Sequence, residues 1–413
     1  MKAHRTVQWL GIVTAAVLAA AACGGSGGGS GGSGGGGGDK VGAPPPSGPA
    51  LTKSAIKIGN VGTYSGFAGV TSKASADAVQ AWAKWTNANG GINGHPVQVV
   101  VKDDQGQAAS SIAAVKDLVE NEKVVAIVGP HDSGLESSWA AYLSAKKIPV
   151  IGGSATGATW LSDPNFFPTA LTPINYTTVL ANTTTVAGKK NYGLVFCAEA
   201  PACAQSVTLS QGVTKKLGLN FTGGQPLAAS APNYTAQCLA LRKSNAEMIF
   251  IGTSQETGLR FTADCTKQNY RPSMVQPTQS WTDDLLKNKS LEGVWLASDA
   301  VLWTGGSPAV TSFRQAMKWY SPKSPLNASA TSGWTGGVVF GKALANAGDA
   351  PTAADVVKGL YGLGQDYTAD GLIPPVTYTP GKPAVQKPCG WYGLIKNGKL
   401  TTPKGSDPVC VGG

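Results

Sequence analysis

Ile56-Lys57-Ile58-Gly59-Asn60-Val61-Gly62-Thr63-Tyr64-Ser65-Gly66 opens the folded part of the chain, and the residues on either side of it decide the architecture. Ile56 to Gly59 reads as a strand. Ala74, Ala78, Trp82 and Trp85 then recur at helical spacing, and Asn89-Gly90-Gly91 stops the pattern. Residues 97–101 form a near-continuous β-branched run, as expected of a parallel strand covered on both faces. Ile112, Val115, Leu118 and Val119 mark a second helix, residues 124–128 a third strand, residues 135–146 a third helix, and residues 148–151 a fourth strand. This βαβαβ alternation predicts an α/β fold with a doubly wound, mainly parallel sheet.

The rhythm restarts after Pro173. Residues 192–196 and 248–251 read as strands, and residues 204–217, 235–244 and 257–268 as helices. A further strand is expected at 293–297, with helices at 310–320, 333–347 and 353–360. Residues 376–378 and 391–395 alternate like edge strands joined through a Pro/Gly-rich turn. Two α/β halves in one chain predict a ligand cleft between them.

An ordered set of segments gives this pattern a family likeness: the opening stretch, then Asn89-Gly90-Gly91-Ile92-Asn93-Gly94-His95-Pro96-Val97, Asp103-Asp104, and residues 124–130. Together they resemble a branched-chain-amino-acid-type solute-binding protein, the Leu/Ile/Val-binding-protein-like receptor of an ABC importer. The likeness covers residues 54–400 and is looser beyond residue 190. It implies a two-lobed type I periplasmic-binding fold that closes on a ligand. Carried onto this chain, lobe one is 54–172 plus 302–373, and lobe two is 173–301 plus 374–413. The crossings fall near residues 169–173, 299–302 and 374–375.

Ligands of open α/β sheets sit beyond the carboxyl ends of strands, near helix N-termini. Gly129-Pro130-His131-Asp132-Ser133 and Gly152-Gly153-Ser154-Ala155-Thr156 are the two loops so placed. The resemblance implies that Ser133, Ser154, Ala155 and Thr156 hold a ligand carboxylate. Exposed backbone N–H groups and a positive helix end favour an anion there independently. Asp132 conflicts with this, since a carboxylate repels an anion unless it caps the helix or pairs with a ligand ammonium. Tyr64, Phe67 and Trp160 are candidates to line the pocket. On lobe two the family's ammonium-binding acid is missing from residues 275–281, which leaves Glu199, Glu256, Gln279 and Trp281 as candidates. The ligand class expected is an amino acid or a related small carboxylate or amide.

The N-terminal residues have a different character. Lys2 and Arg5 precede an apolar stretch, residues 9–22, that is short for a membrane span. The stretch ends in Leu18-Ala19-Ala20-Ala21-Ala22-Cys23-Gly24, which resembles a bacterial lipobox, with Ala20 where Leu or Val is usual. Residues 1–22 are therefore expected to be a signal peptide and Cys23 a lipid anchor on the outer face of the cytoplasmic membrane. Residues 24–38 are only Gly and Ser, and Ala43-Pro44-Pro45-Pro46-Ser47-Gly48-Pro49 is Pro-rich. Such a tether, residues 23–50, reaches roughly 30 Å as a flexible coil. Cys197, Cys203, Cys238, Cys265, Cys389 and Cys410 remain, an even number that implies disulfides in an exported chain. Proximity favours Cys197–Cys203, Cys238–Cys265 and Cys389–Cys410 among the possible pairings.

Composition removes other classes. The 413 residues hold 33 Lys plus Arg against 23 acids, a net +10, yet no basic run exceeds a pair such as Lys146-Lys147. That pattern does not suit nucleic acid. Three His and no Cys/His cluster leave no metal or cofactor expected. Asp103-Asp104 and Asp283-Asp284 are adjacent acids, which on a strand point to opposite faces and make a poor catalytic pair. A monomeric, non-enzymatic receptor with an ABC permease as partner is expected. The alternative is a lipid-anchored sensor using the same fold without transport.

Overall fold

The computed structural model describes residues 48–411 apart from residues 133, 200, 279, 280 and 282. Cys23, the tether before Gly48, Ser133 and Gln279 lie outside the described residues. β1 (Ile56–Gly62), α1 (Gly66–Ala88), β2 (Val97–Asp103), α2 (Ala108–Glu120) and β3 (Ile127–Val128) come first. They are followed by α3 (Ala140–Lys146), β4 (Val150–Ile151), α4 (Thr159–Ser162) and β5 (Phe166–Phe167). The five strands form one parallel sheet in the order β2-β1-β3-β4-β5. Its order reverses between β1 and β3, which makes the carboxyl ends of those two strands the switch point where such sheets bind ligands.

Next come α5 (Pro173–Val186), β6 (Asn191–Cys197), α6 (Pro201–Lys216), β7 (Asn220–Leu227), α7 (Thr235–Lys243) and β8 (Met248–Gly252). α8 (Gln255–Lys267), β9 (Ser273–Pro277), α9 (Asp283–Leu286) and β10 (Trp295–Ser298) complete this series. Three helices, α10 (Pro308–Tyr320), α11 (Ala328–Ala343) and α12 (Ala353–Tyr361), return to the first sheet, where α11 packs along α1 and against β3 and β4. The chain ends with β11 (Val376–Thr377), β12 (Val385–Gln386), β13 (Cys389–Lys396), β14 (Lys399–Thr401) and β15 (Val409–Cys410). The second sheet runs β14-β13-β10-β9-β8-β6-β7, with β15 on β13. This is the two-lobed α/β architecture expected from the alternation.

Details differ from the reading of the sequence. Residues 391–395 belong to an internal strand, because β13 has β10 on one side and β14 on the other. Val376 and Thr377 pair instead with β12 in a separate ribbon. Residues 135–146 are not one helix: a 3-10 turn at Leu135–Ser138 precedes α3. Trp139 sits at the break, buried and stacked on Phe166 with ring centroids 5.8 Å apart. Burying that indole redirects the chain before the α-helix starts.

Three segments pass between the lobes and hydrogen-bond to one another. Leu171 N–H donates to the Asp299 carbonyl (3.2 Å), and Val301 N–H to the Leu372 carbonyl (3.3 Å). Gln386 receives a hydrogen bond from Thr172 N–H (2.9 Å) and donates to the Ala170 carbonyl (2.8 Å). The disulfides all lie on the second sheet and its helices. Cys197–Cys203 joins the end of β6 to α6, Cys238–Cys265 joins α7 to α8, and Cys389–Cys410 spans a register pair of β13 and β15. Among the described residues, no helix is long and apolar enough to cross a membrane.

Candidate functional site

Asn60 organises the switch point. This wholly buried side chain on β1 donates from Nδ2 to the carbonyls of Val128 (2.9 Å) and Gly129 (2.8 Å), fixing the end of β3. Its Oδ1 accepts from the Tyr64 hydroxyl at 2.6 Å, so the same residue orients the half-buried tyrosine. A backbone bridge links the loops directly: His131 N–H donates to the Val61 carbonyl and Thr63 N–H to the His131 carbonyl, both at 3.0 Å.

The loop after β4 joins them. Ser154 N–H donates to the Pro130 carbonyl at 3.0 Å. Gly153 adopts φ +87°, and a Cβ there would lie 2.1 Å from the Pro130 oxygen, so only glycine permits this approach. From below, the Ser332 hydroxyl on α11 donates to the Gly153 carbonyl at 2.8 Å. The carboxyl ends of β1, β3 and β4 are thus fastened into one surface, which carries Tyr64, His131, Asp132, Ser154 and Thr156.

Acids dominate the electrostatics of this surface. Asp132 is 3% exposed and Glu136, in the 3-10 turn, 2%. The backbone N–H groups of Asp132 and Gly134 help to hold the Asp132 carboxyl down, and Asp132 and Glu136 act on each other's charge. Asp132 Oδ2 and Glu136 Oε2 are buried without a hydrogen-bond partner. Burial first, then the charges of Glu136 and Asp104, push the Asp132 carboxyl up to about 8. Burial also raises Glu136. The Glu136 carboxylate lies against Gly157, where an added Cβ would fall 1.5 Å from Oε1. His131 is held neutral, its imidazole depressed to about 4 by burial. Burial and the neighbouring Asp132 and Asp104 raise the Tyr64 phenol.

Asp103 and Asp104 are committed to holding loops. Asp104 accepts from Thr63 Oγ1 (2.8 Å), Gly106 N–H (2.8 Å) and Ser111 Oγ (3.3 Å). Asp103 accepts from Tyr64 N–H (3.0 Å) and Gln105 N–H (2.9 Å). His95 bridges the carbonyls of Ser54 (2.7 Å) and Gly348 (3.0 Å), a structural role. Among the described residues, no group of His, Cys, Asp and Glu is arranged to hold a metal.

The structure separates other candidates from the surface. Trp160 is 1% exposed and packs edge-on against Phe166 at 5.0 Å, so it fills the core of the first lobe and does not cover a ligand. Trp281 is fully buried in the second lobe's core. Both indoles are driven inward by the apolar area they bury. Ala155 is buried, whereas Ser154 is half-buried and Thr156 exposed. Glu199 is exposed between Cys197 and Cys203 and accepts from Ala229 N–H (2.5 Å), which lowers its carboxyl. Glu256 is exposed on α8. The member of the site that sequence reasoning missed is Glu136. Its signal was present, as an acid four residues after Asp132 in loops that contain no Lys or Arg.

A cavity of about 460 Å³ opens elsewhere, lined by Trp82, Trp85, Ile92 and Trp334. It lies at the C-terminal end of α1, toward the amino ends of the strands, and none of the three loops enters it. Position at the strand carboxyl ends, not cavity size, selects the site.

Residues 55–390 match the family model described as periplasmic binding protein. No curated protein sequence matches. Among solved structures, a substrate-binding periplasmic protein from Ralstonia solanacearum is 19% identical, with 86% of this chain and 99% of that chain covered and a TM-score of 0.65. A fatty acid ABC transporter substrate-binding protein from Thermomonospora curvata is also 19% identical, covering 88% and 93%, TM-score 0.65. A leucine binding protein from Thermotoga maritima is 13% identical, covering 86% and 99%, TM-score 0.66. At these identities the likeness establishes the fold, while the family match runs from β1 into β13. The chain belongs to the periplasmic binding protein family, with the type I fold of its branched-chain-amino-acid-binding members.

Proposed function

We propose that this protein is a lipid-anchored solute receptor of an ABC importer, capturing a small amino acid or related carboxylate or amide between its lobes. Membership of the family implies solute binding for transport and a place outside the cytoplasm. In this reading residues 1–22 are the signal, Cys23 the acylated residue and 23–50 the tether. The lobes are 54–172 plus 302–373 and 173–301 plus 374–413.

The observation that carries the reading is the fastening of three strand-end loops into one polar surface around Tyr64, Asp132, Ser154 and Thr156. Ser133 and Ala155 belong to the same loops, and Glu199 and Gln279 are the second lobe's candidates. Leucine, a fatty acid and, in a Rhodopseudomonas palustris relative, benzoate are named with structural neighbours, and all three carry a carboxylate. That common group supports a carboxylate seat at the backbone of residues 155 and 156, the Ser154 N–H being held by the Pro130 carbonyl.

Titrating the mature protein with amino acids and small carboxylates is expected to raise the melting temperature and change tryptophan fluorescence on closure. Silence across both classes overturns the reading. Cys23→Ser is expected to release the protein from the membrane fraction, and retention there overturns the anchor.

A further inference from the structure

Residues 48–54, which precede β1, are laid against the body in a fixed order. Gly48 N–H donates to the Ala88 carbonyl at 2.7 Å, Pro49 lies against Gly90, and Leu51 lies against Gly91. Lys53 N–H donates to the Gly94 carbonyl at 3.3 Å, and its ammonium pairs with Asp349 at 2.9 Å. Gly48 is pressed so closely on this backbone that a Cβ there would fall 2.7 Å from Gly90 N. Followed backwards from Lys53 to Gly48, the segment moves from Gly94 to the end of α1. The residues before Gly48, which lie outside the described residues, therefore head along that helix end toward Thr86 and Trp85.

Those two side chains border the cavity of about 460 Å³ described above. It is an aromatic groove held in shape by its own packing. The Trp82 ring lies against α11 only because two positions there are glycine: a Cβ would fall 2.3 Å from it at Gly337 and 3.0 Å at Gly341. Trp85 is stacked on Trp319, with ring centroids 5.5 Å and planes 19° apart, and Trp334 contributes a third indole to the lining. Among the described residues, the indole N–H groups of Trp82, Trp85 and Trp334 make no hydrogen bond. The groove thus offers preset ring faces together with free donors, and it takes no part in the solute site.

We propose that this groove is the dock of the chain's own residues 41–47, Val41-Gly42-Ala43-Pro44-Pro45-Pro46-Ser47, and that it fixes the point at which the tether leaves the body. Proline rings present flat apolar faces on a backbone whose φ is already set, so such a run docks on aromatic grooves at little entropic cost. Its carbonyls have no partner within the run and can accept from indole N–H groups. Ala43 to Pro46 spans about 12 Å when extended in this way, enough to cross the groove from the edge where Gly48 is held. Residues 41–47 carry no charge, so burying them strands no ion. Residues 24–38, only Gly and Ser, have no apolar side chain to offer, whereas the prolines stand immediately before the first anchored residue. Being joined to the body, the run meets the groove at an effective concentration of order millimolar, which populates a contact too weak for a free peptide.

The consequence is an exit fixed on α1 and α11, which pack on the first sheet, so movement of the second lobe leaves the attachment undisturbed. The flexible part of the tether then ends near residue 40, which shortens its reach from roughly 27 to roughly 23 Å. The proposal stands whatever solute the cleft takes and whether or not Cys23 is acylated.

The test uses residues 23–413 labelled with 5-fluorotryptophan, as wild type and as one variant combining Pro44→Gly, Pro45→Gly and Pro46→Gly. These substitutions precede every strand and helix of the fold. Fluorine resonances are assigned by single Trp→Phe exchanges. The signals of Trp82, Trp85 and Trp334 are expected to shift in the variant and to be relaxed by a soluble gadolinium chelate about twofold or more faster, as the tethered run leaves the groove. Trp139, Trp160 and Trp281, buried elsewhere, should not change. Groove signals that are the same in wild type and variant overturn the proposal. Shielding of the three rings that rises with protein concentration, with a dimer in light scattering, gives the groove to a second copy and also overturns it. Independently of the glycine variant, Pro45→p-benzoylphenylalanine is expected to photocrosslink within its own chain to residues 82–93 or 334–345. Crosslinks confined to other residues, or to another chain, overturn the proposal.

Discussion

Asn60 does three jobs at a position where a strand residue would ordinarily be Val or Ile. It holds two carbonyls at the end of β3 and accepts from Tyr64. Asn60→Ala is expected to cost about 2–4 kcal/mol, since it removes a buried donor from two carbonyls, of which only that of Gly129 keeps another side-chain donor, the Ser75 hydroxyl, and takes the acceptor from a phenol; chemical denaturation would measure this. Asp132 gives the site a pH signature. Its folded-state value, about 8, is above the usual carboxylate value, so the folded protein holds this proton more tightly than the unfolded chain. The associated stability is full below about pH 4 and is lost as pH rises towards 8. His131 acts oppositely: its value falls to about 4, so its contribution is present above about 6.5 and lost as pH falls towards 4. Between about pH 6.5 and 8 only the Asp132–Glu136 pair should slope the stability. A falling melting temperature across that window, flattened in Asp132→Asn, is the expected result. An indole's environment was not legible from local sequence: Trp160 and Trp281 follow loops that point to the ligand side, yet tertiary packing buries both.

At the scale of elements, periodic segments were readable and aperiodic ones were not. α1, β2 and α10 announced themselves through their apolar spacing. α5 did not, because its Thr-rich run (Thr177, Thr178, Thr183, Thr184, Thr185) has weak helix propensity and no single apolar face. β7 was obscured by Gly223-Gly224-Gln225-Pro226, which reads as a turn yet pairs along β6. α11 shows what a glycine can mean within a helix. A Cβ on Gly333 would lie 2.2 Å from the Ser75 carbonyl of α1, so the two helices approach backbone to backbone. Gly333→Ala is expected to destabilise by about 1–3 kcal/mol, although alanine favours helix, because the packing must open. Urea denaturation with an unchanged slope would check this.

For the molecule as a whole, the alternation of elements carried the two α/β halves, and the family resemblance carried their two-lobed arrangement. The site was legible only to the level of its loops. Which side chains turn inward depends on contacts between strands that are distant in sequence, such as the bridge from Gly62 to His131. Stability is also distributed unevenly. Cys238–Cys265 closes 27 residues, and replacing both cysteines by Ala is expected to cost about 3–4 kcal/mol on the loop-entropy model, detectable as a lowered melting temperature. Among the described residues the second lobe holds all three disulfides, and none links the lobes or braces the first.

The return of α10–α12 to the first sheet therefore has a consequence in time as well as in space. The first lobe begins at β1 but is closed by a helix ending at Ala343, so it waits for nearly the whole chain before its core can form. A fragment ending near residue 172 should remain unfolded, with little near-ultraviolet circular dichroism. A chain that passes through a membrane before folding gains from this order, because its leading half has no compact state to adopt while the rest is still on the other side.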